Sequence, residues 1–319
     1  DAISVAESLG IEFCSYNFER EYREKVIQYF FDEYARGRTP NPDVLCNSEI
    51  KFNLFLKKCL QELHADAIAT GHYAGISATR ASHEDSFHLL KGKDRSKDQS
   101  YFLCRLTQEE LARSRFPLGE LTKPQVRQIA HKLQLPVAEK KDSQGICFVG
   151  KINVAEFIRS ELGAKPGDII DHDTGAILGQ HQGLWFYTIG QREGLRLSGG
   201  PWFVVHKNIE NNSIIVVRGS DHPALFSTSV LLEEPAYINA SYQHTSSFSA
   251  EVSIRYRQKP VPATIERITH HQTPCLRIHF HTPVRAASPG QFGCIYKGDE
   301  IIGSGILREA TASVPASPG

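Results

Sequence analysis

The spacing of apolar positions changes along the chain, and the changes divide it. From Arg20 to Arg36, Val26, Ile27, Phe30, Phe31 and Tyr34 recur at helical spacing, and Gly37 closes the predicted helix. A second helical stripe, Ile50, Phe52, Phe55, Leu56, Cys59, Leu60 and Leu63, follows a proline-braced loop, with Asn47 or Ser48 as its expected cap. Cys59 lies on that stripe and reads as core. "DAISVAESL" reads as the end of a helix, "IEFCSYNF" as a short strand holding Cys14, and "ADAIATGHY" as a buried strand entering a glycine turn. Helix and strand thus alternate, which predicts an α/β unit with a parallel sheet. In such sheets ligands bind beyond the carboxyl ends of strands, where Gly71 and His72 fall.

Downstream, "LTKPQVRQIAHKLQL" predicts a basic amphipathic helix capped by Thr122, with Pro124 in its first turn. "KKDSQGICFVG" turns through Gly145 into an apolar run containing Cys147. Beyond Lys151 the period shortens. "NVAEFIRSEL" is a helix, and hairpins are expected around Asp173-Thr174-Gly175 and Asn211-Asn212. From Ser227 to Leu307 short alternating strands predict a small barrel, in which Cys275 and Cys294 are packed. The divisions expected are therefore 1–152, an α/β unit; 153–226, a small α+β unit; 227–308, the barrel; and 309–319, a low-complexity disordered tail.

Composition adds limits. The 319 residues carry no formal net charge and no apolar run of membrane-spanning length. Charge is uneven, however: residues 1–66 hold eight Lys/Arg against twelve Asp/Glu, and residues 91–141 hold twelve against six. The basic stretch is a candidate phosphate-facing surface or a solvated helix face. Seven cysteines without a C-x-x-C pair argue against a zinc ribbon or a secreted disulfide framework, and predict a reducing, cytoplasmic setting. No metal-ligand set is expected. Methionine is absent and Asp1 falls in mid-helix, so a preceding segment is expected.

Two cysteines stand outside the core pattern. Cys46, in "GRTPNPDVLCN", precedes the expected helix start, and Cys147 follows Lys140 and Lys141; both placements favour thiolate. A pair of thiols on different loops suits sulphur relay or redox exchange. Asp43 is either a general base or a turn former, and His72 either a ligand or a packed histidine. "KDQSYF" mixes a cation, a carboxylate, an amide and aromatics. "RYRQ" places Arg255 and Arg257 on one face of an expected strand and Tyr256 on the other, a combination that suits RNA.

"GRTPNPDVLCN", "ATGHY", "KDQSYFL", "KKDSQGICFVG", "TIGQREGL" and "SPGQFG" occur in the order found in bacterial tRNA-specific 2-thiouridylases, which the chain resembles from Asp1 to Leu307. The resemblance implies a Rossmann-like ATP-pyrophosphatase domain, a central tRNA-binding domain and a C-terminal β-barrel. It implies ATP-dependent exchange of the 2-oxygen of the wobble uridine for sulphur. A carbonyl oxygen is a poor leaving group, so it is first adenylated with ATP and Mg²⁺, and sulphur then displaces AMP. Cys147 is implied as the persulfide carrier. Cys46 is implied as the second catalytic cysteine, able to form a disulfide with Cys147. Asn41, Pro42 and Asp43 correspond to the turn that meets the target base, and Asp43 also counts as catalytic. Gly71 matches a nucleotide-contacting glycine. His72, Lys97, Asp98, Gln99, Arg255, Tyr256 and Gln291 match tRNA contacts. The implied partners are a tRNA anticodon loop and a persulfide donor, such as a cysteine desulfurase or a sulphur-relay protein.

One departure matters. The family's Ser-Gly-Gly-x-Asp-Ser nucleotide loop is not in this sequence, and its place is expected before Asp1. As given, the chain is expected to bind ATP poorly and to lack activity. Two other readings stay open: another adenylating enzyme of the ATP-pyrophosphatase class, and a non-catalytic RNA-binding protein with this fold.

Overall fold

A computed structural model describes residues 1–80, 85–140 and 153–312. A first helix, Ala2–Leu9, leads into an extended segment, and helical turns then run unbroken from 19 to 35. This second helix buries Tyr22, Val26, Phe30, Phe31 and Tyr34, close to the stripe expected. Residues 11–18 form no strand, and Cys14 is exposed. A strand needs a neighbour for its N–H and C=O groups, and among the described residues this segment has none.

The next helix departs from expectation at its start. It begins at Pro42, with Asn41 as N-cap, and continues through wide π-type turns, Cys46–Phe55, to Glu62. Asn47 and Ser48 therefore lie inside it. Pro42 is the reason: its ring fixes φ near the helical value, and its missing N–H is not needed in the first turn. Ile50, Phe52, Leu56 and Cys59 are buried, whereas Leu63 at the frayed end is 48% exposed.

Two short strands, β1 (Ile68–Ala69) and β4 (Ser114–Arg115), pair in parallel. Between them, β2 (Ala74–Arg80) and β3 (Asp85–Lys91) form a hairpin that pairs with the barrel's sheet while Ala74 and Leu89 stay in the core of the first unit. A helix over Lys123–Lys132 follows, opened by Thr122, whose N–H is accepted by Gln125 Oε1 at 2.8 Å. None of its residues is buried; Ile129 is 44% exposed and the following Leu133 55%. The sequence "KKDSQGICFVG" lies outside the described residues but for Lys140.

The helix Val154–Leu162 packs Ile158 and Phe157 against Phe30, Phe31 and Tyr34. Beyond it, β5 (Gly167–Asp171), β6 (Ile177–His181), β7 (Trp202–Asn208) and β8 (Ser213–Arg218) form a four-stranded sheet in the order β6-β5-β8-β7. Both expected hairpins are present.

The C-terminal strands are β9 (Phe226–Tyr237), β10 (Ser247–Ser253), β11 (Val261–His270), β12 (Thr273–Arg285), β13 (Phe292–Lys297) and β14 (Glu300–Ala312). They close a six-stranded barrel, β13-β10-β11-β12-β9-β14, through the β13–β14 pair, and β3 then joins β14 on its outer edge. Closure removes exposed strand edges. Residues 309–312, expected to be disordered, belong to β14 because β9 offers them partners as far as Ser227. Arg255 to Gln258 lie beyond the end of β10, in a turn, so the alternating faces expected for "RYRQ" do not apply.

One core crosses the units. Val44, Phe52 and Leu56 pack with Tyr101, Leu103 and Cys104 and with the barrel's Phe292, Cys294, Tyr296 and Ile301. Burying such a set contributes about 2 kcal/mol per large side chain. The loop before Pro42 is therefore anchored on rigid elements at both ends. Among the described residues no helix is long and apolar enough to cross a membrane.

Candidate active site

The segment from Thr39 to Cys46 is gripped from two other parts of the chain. Thr39 N–H donates to Pro289 O at 2.8 Å, and Gln291 Nε2 donates to Thr39 O at 2.7 Å. Between those two contacts sits Gly290, with φ +92°, where an added Cβ would lie 2.9 Å from the Thr39 carbonyl carbon. That explains glycine in "SPGQFG" twice over: a left-handed backbone and a close approach. From the central sheet, Lys207 Nζ reaches Thr39 Oγ1 at 3.5 Å, and the Thr39 hydroxyl donates to Thr188 Oγ1 at 3.3 Å. Thr188 belongs to "TIGQREGL".

Past the clamp, Pro42 is buried while Asn41 and Asp43 are half-buried. Asn41 has the extended backbone of an N-cap, φ −117° and ψ 93°, yet its side chain makes no cap hydrogen bond. Asn at this position normally accepts from the second or third helical N–H. Asp43 stands in the first turn, where the helix dipole favours a carboxylate. Cys46 comes one turn later and is fully buried among Tyr22, Val26 and Ile50. The sequence places it in a turn before the helix; the structure places it within. Its thiol meets solvent only when those side chains move. Cys147 lies outside the described residues.

At the end of β1, Gly71 is exposed and His72 is not free to act as a cation. The His72 ring lies 5.7 Å from the Phe52 ring and 5.9 Å from that of Phe116, with Nδ1 2.7 Å from Thr70 Oγ1. Burial, reinforced by the nearby Lys51 charge, pushes its pKa down to about 3. The imidazole is neutral at physiological pH and can meet RNA only as a hydrogen-bonding group.

The other candidates sort by their partners. Asp98 accepts from Gly92 N–H at 2.9 Å and from the Ser100 hydroxyl at 3.0 Å, so its carboxylate builds the loop. Gln99 holds Tyr73 from both sides, accepting its N–H at 3.1 Å and donating its own N–H to Tyr73 O at 2.9 Å. Lys97 is half-buried in the same loop. The Tyr256 ring lies 4.3 Å from that of Phe102, tilted by 47°, with the Arg257 guanidinium 5.3 Å from the Tyr256 ring. Arg255 is exposed. Lys91, Arg95, Asp98, Tyr256, Arg257 and Lys259 are among the residues around a cavity of about 440 Å³. Several other cations of the basic stretch are spent internally: Arg105 donates to Glu234 O at 2.6 Å and Arg113 to Asp66 O at 3.2 Å.

A metal would find one cluster of ligand types among the described residues, His172, Asp173 and His222. There His222 Nδ1 accepts the Ala224 N–H at 3.2 Å, so its proton sits on Nε2, the nitrogen facing Asp173. That proton occupies the place a metal would take. For ATP, the turn at Gly71 offers an exposed ledge at a strand end. A single glycine there does not make the multiple N–H cradle that a triphosphate needs.

Comparison with known proteins bears on this arrangement directly. Residues 1–151 match the tRNA methyl transferase HUP domain, 155–218 the tRNA methyl transferase PRC-barrel domain, and 227–307 the aminomethyltransferase beta-barrel domain. The tRNA-specific 2-thiouridylase MnmA 1 of Geobacillus kaustophilus is 47% identical, over 97% of this chain and 82% of its own length. The corresponding enzymes of Photorhabdus laumondii and Klebsiella pneumoniae are 43% and 44% identical, over 97% of this chain and 83% of theirs. The chain belongs to the tRNA-specific 2-thiouridylase family. The matched models carry "methyl transferase" in their descriptions, but the near full-length relatives are named for thiolation, and their coverage decides the family. A HUP domain fits the ATP use expected of 2-thiouridylases.

In this 2-thiouridylase, residues that sequence reasoning passed over hold the site together. Thr39, Thr188, Gly290 and Lys207 have no reactive pattern of their own. The motifs "TIGQREGL" and "SPGQFG" held Thr188 and Gly290, and "GRTPNPDVLCN" held Thr39, without saying that the first two converge on Thr39. Lys207 carried no mark at all.

Proposed function

We propose that this chain is the sulphur-transferring enzyme of a tRNA 2-thiolation reaction, and that the target uridine meets it at the Asn41–Asp43 turn. The observation that carries the placement is Asn41. Its amide stands at a helix start, half-exposed, without the cap bond expected there, on a loop held by hydrogen bonds to the barrel. An uncommitted amide on a fixed loop suits the edge of an extruded base, and Asp43 beside it suits the N3 proton. The wobble base lies in a loop of the tRNA, so extruding it costs little stacking.

When bound, ATP with Mg²⁺ would adenylate the 2-oxygen with release of pyrophosphate, so that this oxygen can leave as part of AMP. The chain's own part is the sulphur. The outer sulphur of a persulfide on Cys147 bonds to C2 as AMP departs. Cys46 then attacks the Cys147 sulphur, freeing the thiouridine and leaving a Cys46–Cys147 disulfide for a thiol to reduce. The cavity lined by Lys91, Arg95, Tyr256, Arg257 and Lys259 suits the flanking RNA backbone, with Tyr256 available for stacking. The reaction belongs in the cytoplasm, where thiols stay reduced.

The test is persulfide loading. The chain is incubated with a cysteine desulfurase, its relay proteins and free cysteine, and unreduced peptides are analysed by mass spectrometry. Added sulphur is expected on Cys147 and not on Cys59 or Cys104. An accessible Cys147 that stays unmodified, with a donor active on another acceptor, would overturn the carrier role. Thiolation that survives in Cys147→Ser would instead favour a different adenylating chemistry.

A further inference from the structure

Lys207 is 8% exposed, and its ammonium has no carboxylate partner among the described residues. It reaches the interior through a bulge. Val204 pairs with Val216 and His206 with Ile215, so one extra residue enters β7, and the alternation resets to turn Lys207 inward instead of His206. The ammonium donates to Tyr187 O at 2.9 Å and reaches Thr39 Oγ1 at 3.5 Å. Thr39 passes a hydrogen bond on to Thr188. Among the described residues, every polar contact of this buried amine thus ends on Thr39 or on the residue next to Thr188.

Burial alone lowers its pKa to about 7. A methionine of similar length would fill the same space without the desolvation penalty. For stability the lysine is a poor choice, so its contacts must account for it. Gln291 and Pro289 hold the backbone of Thr39 from the barrel side, while Lys207 from the central sheet and Thr188 from the loop preceding β7 hold its side chain. Together they determine where Asn41, two residues on, is presented.

We propose that Lys207 is a positioning residue for sulphur transfer, which locks the Thr39–Pro40 loop against the central sheet so that Asn41 and Asp43 meet the base in register. The inference rests on the function proposed above. Because an error of about 1 Å in such a loop can cost on the order of 100-fold in rate, the effect is measurable.

The test compares Lys207→Met and Lys207→Arg with the parent chain in three measurements. Hydrogen exchange of the peptide covering residues 38–46 is expected to quicken in Lys207→Met and to return toward parent values in Lys207→Arg. Unfolding by urea is expected at an equal or higher midpoint in Lys207→Met, which separates positioning from a merely structural role. The single-turnover thiolation rate, where the parent supports turnover, is expected to fall about 10- to 100-fold while tRNA affinity changes less than about threefold. Unchanged exchange over residues 38–46 overturns the proposal. So does a Lys207→Met midpoint that falls in step with exchange across the whole chain. Failure of Cys147 to load sulphur in the parent would strike the proposed function and leave the exchange result standing on its own.

Discussion

Replacing Gly290 with alanine tests whether the barrel turn really holds the Thr39 loop. Two costs separate cleanly, because Gly298 supplies the control. Both glycines have left-handed backbones, φ +92° and +62°, so an alanine at either pays roughly 1 kcal/mol for the conformation. At Gly298 an added Cβ meets nothing within 4 Å. At Gly290 it would press on the Thr39 backbone, with carbon, nitrogen and oxygen at 2.9, 3.0 and 3.0 Å. Backbone cannot swing aside like a side-chain tip, so the loop must retreat. Retreat threatens the Thr39–Pro289 and Gln291–Thr39 hydrogen bonds, at about 1 kcal/mol each. Gly290→Ala should therefore lose about 3 kcal/mol and Gly298→Ala about 1. Urea unfolding followed by fluorescence, with a common slope, reads the difference. Equal losses in the two variants would refute the clamp.

Two further outcomes follow from particular side chains. His72, at about pKa 3 in the folded chain, lies below its free value near 6.5, so the unfolded chain takes up the proton first. Its contribution to stability is complete above pH 6.5 and is lost as the pH falls toward 3, amounting to about 2 kcal/mol by pH 5. A His72→Gln variant should show a flatter acid limb in a titration of unfolding midpoints; parallel curves would mean that the imidazole is not held neutral. Removing Arg255 and Arg257 together should weaken tRNA binding at low salt and make the log–log salt dependence shallower by about 1.5. An unchanged slope would take these arginines off the RNA path.

Much of the chain was legible in its pattern of apolar residues. The helical stripes around Phe30 and Phe52, the two hairpins of the central sheet and the alternating strands of the barrel follow from local periodicity, which depends only on neighbours in sequence. So does Cys59 as core. The proline-braced loop could likewise be recognised as unusual, and Asn41, Asp43 and Cys46 singled out within it. What local pattern could not supply was anything set by a distant partner. Whether 11–18 or 309–312 forms a strand depends on a neighbouring strand to accept its hydrogen bonds; β9 provides one for the second segment. Cys46 is buried because Tyr22 and Val26 pack over it, and His72 is neutral because Phe52 and Phe116 enclose it. Lys207 points inward because a single bulge reverses the alternation of its strand. The sequence alone determined which residues could do chemistry and the elements that carry most of them. Tertiary structure decided which of them are held, covered or neutral, since those properties come from contacts between segments up to some 250 positions apart, as in the bond from Gln291 to Thr39.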